Sequence, residues 1–161
     1  MNAHNRSTGA AILFGGLIAG TIDIGVATLI NWVNPIVILH AIASGVLGRA
    51  SFFEGTPSAI LGIVLQWAMS LVIAAIYVMA CRSLPVLARR WVVGGLAYGV
   101  VIFFVMNFAV VPLSMAMAKP HLPHFSAAKF GENMLAMLLF GLIVAFFAQR
   151  SASHGGAETS R

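Results

Sequence analysis

Gly15-Gly16-Leu17-Ile18-Ala19-Gly20-Thr21-Ile22-Asp23-Ile24-Gly25-Val26-Ala27 decides the fold of this chain. It belongs to the first long apolar run, and Asp23 is a full charge deep inside that run. At helical spacing Gly16, Ala19, Gly20, Asp23, Ala27 and Asn31 fall on one face. A carboxylate in hydrocarbon is costly, so this face should meet protein or trapped water rather than lipid. The stretch therefore predicts a bilayer-crossing helix packed through small residues onto partner helices.

Composition extends that reading to the whole chain. Of 161 residues, 60% are hydrophobic and 8% charged, with a mean hydropathy of +0.98. A soluble domain is about one quarter charged, and a chain of this size could not cover so much apolar surface with so few charges. The net charge of +5 could suggest nucleic acid as a partner. Its nine Lys and Arg residues sit between apolar runs instead, as membrane topology requires, so no nucleic-acid role is expected. Cys81 is the single cysteine, which excludes an internal disulfide, and it is read as a packing residue. The first run is too long for a signal-peptide core and is expected to be retained.

The chain then divides into a polar start at 1–9, one transmembrane domain at 10–148 and a polar, disordered tail at 149–161. Four spans are predicted, at about 10–33, 58–81, 91–111 and 130–148, each long enough to cross a bilayer. The fold class is all-α, a polytopic membrane protein with an up-down four-helix bundle. Asn34-Pro35 ends the first span, because proline disfavours helix in the residue before it. Residues 35–47 are apolar but too short to span, and read as a short helix, either re-entrant or interfacial. Pro112 stops the third span. Arg6, Arg82, Arg89, Arg90, Arg150 and Arg161 lie on one side; Arg49, Lys119 and Lys129 lie on the other. The positive-inside rule then predicts cytoplasmic N- and C-termini. Gly15-Gly16-Leu17-Ile18-Ala19-Gly20 and Gly94-Gly95-Leu96-Ala97-Tyr98-Gly99 open the first and third spans alike, a hint of two repeated hairpins.

Each span carries a stripe of small and polar residues. Gly16, Gly20, Gly95 and Gly99 suit close helix packing, and amides hydrogen-bond across such interfaces. Helical rise puts Asp23 roughly 15 Å and Gln66 roughly 12 Å below the outer membrane surface, with Asn107 about one turn below it. Asn133 and Glu132 begin the fourth span on that side, below a loop layer that includes His40. The candidate site is therefore a polar interior biased to the outer half: Asp23, Gln66, Asn107, Asn133, His40 and Glu132. It serves either translocation or packing.

Cofactor chemistry finds little support. His121 and His124 flank Pro123, which prevents a regular helix, and a third ligand would have to come from Glu132 or His40. They remain weak metal candidates in a solvated loop, and no metal or other cofactor is expected. The spans contain no histidine for haem, and the chain lacks HExxH, a phosphate loop and a Ser-His-Asp order.

Ala19-Gly20-Thr21-Ile22-Asp23, Ile42-Ala43-Ser44-Gly45-Val46-Leu47-Gly48, Tyr98-Gly99, Met106-Asn107 and Val111-Pro112-Leu113-Ser114 together resemble a group of small bacterial inner-membrane proteins, the YagU-like family of unknown function. The resemblance covers most of residues 10–148. It implies a four-span protein of the bacterial cytoplasmic membrane and implies no activity. The sequence expectation is a non-enzymatic accessory or assembly protein, associating with itself or a larger membrane protein through its glycine faces. The alternative is a small-solute or proton-coupled transporter using Asp23.

Overall fold

The computed structural model describes residues 3–115 and 126–156 of the chain, with side chains described over 8–115 and 126–151. Among the described residues the chain is all helical and contains no strand. Its long helices are α1 (Ala3–Asn31), α2 (Pro35–Leu47) and α3 (Thr56–Ser83). After the short α4 (Pro85–Arg89) come α5 (Trp91–Leu113) and α6 (Ala127–Gly156). Among the described residues five stretches are long and apolar enough to cross a membrane: those in α1, α3, α5 and α6, and Pro35–Phe52, which joins α2 to a 3-10 turn at Gly48–Phe52. Large apolar side chains such as Leu29, Val72, Met79, Val93 and Leu135 are exposed around the bundle. So much outward apolar surface is stable only against lipid, and the chain is a multi-pass membrane protein.

Helix boundaries follow local chemistry. Below Asn31, α1 closes in a Schellman motif: Val33 N donates to Thr28 O and Trp32 N to Leu29 O. Trp32 takes the left-handed position usual for glycine, at φ 51°, and its side chain lies almost fully exposed. Asn34 then caps α2, its Oδ1 accepting from Ile36 N at 2.9 Å with Pro35 in the first turn. Lys129 Nζ donates to the orphaned carbonyl of Ile30, tying the start of α6 to the end of α1.

Three boundaries differ from the sequence reading. Pro112 does not stop α5 at 111. The helix widens into a π turn over Met106–Val110 and continues through Val111–Leu113. The changed register accommodates a residue with no N–H to donate to the turn behind it. α6 runs on to Gly156, so the described part of the 149–161 segment extends the helix, and α1 starts at Ala3 within the 1–9 segment.

α1 packs against α6 and α3, α5 packs against α6, and α2 lies along α3. Glycine makes the closest approaches. A Cβ on Gly16 would lie 2.9 Å from Leu71 Cα, and one on Gly20 would meet the Ser70 side chain. On the other hairpin, Gly95 faces Gly141 and Ala145, and Gly99 faces the backbone of Met137 and Leu138. The two glycine motifs thus do the same work, each seating the first helix of a hairpin on its second. The apolar core, including Ala19, Ala74, Tyr77, Phe140, Val144 and Ala145, fills the half of the bundle toward the Cys81 end of α3. Tyr98 Oη donates to Ile73 O at 2.7 Å, and its ring meets Tyr77 at 4.8 Å, linking α5 to α3 at this level.

Candidate functional site

The half of the bundle toward the Asn31 end of α1 is built differently. There α1, α3, α5 and α6 line a cavity of about 510 Å³, and α2 forms a further wall. Ile38, Ala41, Ile42, Gly45 and Val46 of α2 line it, the i, i+3, i+4, i+7, i+8 set that marks one helix face. The adjoining face of α2, with Leu39, His40, Ala43 and Ser44, is buried. Leu39 sits against Gly62 of α3, where a Cβ would meet the Leu39 carbonyl oxygen at van der Waals overlap. Met115 N donates to Gly45 O at 3.0 Å, fastening the far end of α2 to the end of α5.

Among the described residues five polar side chains line the cavity: Asp23, Gln66, Asn107, Ser114 and Asn133. Gln66 Nε2 donates to Asp23 Oδ2 at 2.8 Å and lies 3.4 Å from Gly20 O, so the α3 amide spans from the carboxylate to the α1 backbone. Asn107 Nδ2 donates to Phe103 O at 2.9 Å, and Asn133 Nδ2 donates to Lys129 O at 2.8 Å, each four residues back on its own helix. Such back-bonding satisfies the amide where water is scarce. Ser114 Oγ donates to Val111 O at 2.8 Å. The other walls are apolar, with Met69, Met106 and Met137 contributed by three different helices. Methionine is unbranched and polarisable, and walls built from it adapt to the shape of a guest.

Of the six residues expected in the polar interior, four meet at this cavity: Asp23, Gln66, Asn107 and Asn133. Asp23 bonds to Gln66 but not to Asn107, whose nitrogen turns to its own helix. His40 does not reach the cavity. It occupies the α3 side of α2, with Nδ1 3.2 Å from Ser58 Oγ and its ring 6.1 Å from that of Phe52. Glu132 also stays outside, half exposed and paired with Lys129 at 3.2 Å. Depth along the chain places both near this level, but depth does not distinguish the two faces of a helix. Gly16, Gly20, Gly95 and Gly99 are all occupied within the chain. His121 and His124 lie outside the described residues. Sequence reasoning missed the three methionines as a set and missed Ser114. Met137 stands in the small-residue stripe of its helix, but nothing local shows that Met69 and Met106 converge on it.

Comparison with family models, curated proteins and solved structures finds no match. The functional reading therefore rests on the cavity. Among its described lining residues Asp23 is the only titratable side chain, and among the described residues no Lys, Arg or His comes within ion-pair distance of it.

Proposed function

We propose that this chain is a non-enzymatic solute-handling protein of the bacterial cytoplasmic membrane, which admits a small molecule from the outer side to the cavity at Asp23 and Gln66. One observation carries the reading: a carboxylate with no cationic partner among the described residues, hydrogen-bonded at 2.8 Å to Gln66, in the wall of a cavity of about 510 Å³. Ligand sites are concave and mostly apolar, with a few convergent polar groups, typically 300–1,000 Å³ in volume. A buried acid inside a membrane bundle marks a substrate or ion path by default. Gly16, Gly20, Gly95 and Gly99 pack within the chain against Leu71, Ser70, Gly141 and Met137, which supports the solute reading over association through those faces.

The topology that belongs with this proposal has four spans, α1, α3, α5 and α6, with both termini cytoplasmic. α2 alone is about 20 Å long, short of the hydrocarbon thickness of about 30 Å, and only the added 3-10 turn brings Pro35–Phe52 to spanning length. Its two lateral faces are committed to the cavity and to α3, so it is read as an interfacial cover on the outer rim. Arg82, Arg89 and Arg90 between α3 and α5 support a cytoplasmic inner loop. The motifs that resemble the YagU-like family include Gly20, Asp23, Gly45, Asn107 and Ser114, so relatives sharing those motifs are expected to share the cavity.

Accessibility tests the reading. On a Cys81→Ser background, Met137→Cys should react with a membrane-impermeant methanethiosulfonate reagent added to the outer face of intact cells. Gly25→Cys, with no neighbour within 4 Å and a lipid-facing position, should not. Labelling of Met137→Cys only from the cytoplasmic face, or from neither face, would remove the proposal.

A further inference from the structure

The hydrogen-bonding inventory of the cavity is lopsided, and its imbalance specifies a guest. Gln66 commits its amide nitrogen to Asp23 Oδ2 and the Gly20 carbonyl, leaving Oε1. Asn107 and Asn133 each turn the nitrogen end onto a backbone carbonyl of their own helix, leaving Oδ1 as the opposite end of the group. These assignments do not depend on amide flips, because only the nitrogen can donate to a carbonyl oxygen. Among the described residues no donor other than Gln66 reaches Asp23, so its Oδ1 is also left over. Ser114 gives its hydroxyl hydrogen to Val111 O. What the protein itself does not use is one carboxylate oxygen and three carboxamide oxygens, against one remaining N–H on each asparagine.

Four acceptors, one of them formally charged, in a largely apolar cavity are complementary to a cation that donates hydrogen bonds. The remainder of the wall decides what kind of cation. Hard metal ions take six or more oxygen ligands in a compact shell. Here the oxygens are dispersed over α1, α3, α5 and α6 among Ile, Leu, Val and Met side chains. Such a wall suits a group with one ammonium end and an apolar body.

Resting on the reading of the cavity as a solute site, we infer that its guest is a primary organic ammonium ion with a hydrophobic body. The ammonium is held by Asp23, with the oxygen end of its hydrogen-bonded neighbour Gln66 beside it, while the dispersed oxygens of Asn107 and Asn133 make the rest of the cavity unfavourable to an anion. The body lies between the methionines and the Ile38–Val46 face of α2. Amphiphilic anions are excluded by the same inventory, since they would bring further acceptors to a site that already has too many.

The test uses the full chain in a non-ionic detergent with isothermal calorimetry. The probe is 2-phenylethylammonium, compared with 2-phenylethanol and 3-phenylpropanoate as neutral and anionic molecules of similar shape. The ammonium should bind saturably at one site, at least tenfold tighter than the alcohol, with no detectable binding of the carboxylate. Asp23→Asn should lower ammonium affinity at least tenfold while leaving that of the alcohol within about twofold. Equal affinity for ammonium and alcohol, or preference for the carboxylate, would overturn the inference, as would an Asp23→Asn protein that binds the ammonium normally. The ligand series on the unaltered protein decides the matter even if that variant does not fold. If Met137→Cys is labelled from outside yet the ammonium has no advantage, the ligand class fails and the cavity reading stands. If Met137→Cys is unreactive, the cavity reading itself fails.

Discussion

Replacing Gly62 by alanine probes the placement of α2 most directly. A Cβ there would overlap the carbonyl oxygen of Leu39 and lie 2.8 Å from its carbon. These are backbone atoms and cannot rotate aside, so α2 and α3 must part by about an ångström to restore ordinary contact. That movement strains the His40–Ser58 bond, already 3.2 Å long, and pulls on the Gly45–Met115 bond at the other end of α2. Overpacking of this kind costs about 1–3 kcal/mol. Alanine also favours helix over glycine by up to about 1 kcal/mol, so the reference is Gly25→Ala, where nothing lies within 4 Å. Reversible unfolding in mixed micelles, followed by tryptophan fluorescence, should place Gly62→Ala about 1–3 kcal/mol below Gly25→Ala. That is roughly 5- to 150-fold in the unfolding constant. Equal stability of the two variants would show that α2 is not seated on α3 at Leu39, and the cavity would lose the wall that α2 forms.

Two further perturbations follow from the same contacts. Gln66→Leu removes the donor that joins α3 to Asp23. Interhelical hydrogen bonds in membranes are worth about 0.6–2 kcal/mol, so the variant should lose about that much in the same assay, and Asp23→Leu/Gln66→Leu together should lose less than the sum of the single changes. At the start of α6, Glu132→Gln breaks only a half-exposed ion pair and should cost under about 1 kcal/mol. Lys129→Met also frees the Ile30 carbonyl at the end of α1 and should cost measurably more; equal losses would refute the capping role.

Much of the architecture could be read from local signals because bilayer physics restricts the options. Twenty-residue apolar runs, the Asn34-Pro35 break and the stripes of small and polar residues each depend on short-range spacing. In the structure Gly62, Gln66, Ser70 and Tyr77 all fall on the buried side of α3. That Asp23 and Gln66 approach the same depth follows from rise per residue, and they do meet. What could not be read depends on rotation about an axis. His40 and Ile42 are two residues apart on α2, yet one faces α3 and the other the cavity. The course of α5 past Pro112 requires a π turn, which has no local sequence signature. The acceptor-rich character of the chamber appears only once each amide nitrogen is assigned its carbonyl.

The π turn at Met106–Val110 can also be regarded as one residue more than a regular helix needs to cover the same distance. Upstream of it, Gly99 is locked onto α6; downstream, Met115 is bonded to α2. The extra residue therefore sets the angular phase between these two attachments. A chain with one fewer residue between Gly99 and Pro112 would keep both contacts available in sequence but present them about 100° out of phase. It could satisfy the α6 interface or the α2 anchor, not both. Among related chains, the length of this interval should be held constant even where its residues change, and a one-residue deletion should accompany loss of the covering helix.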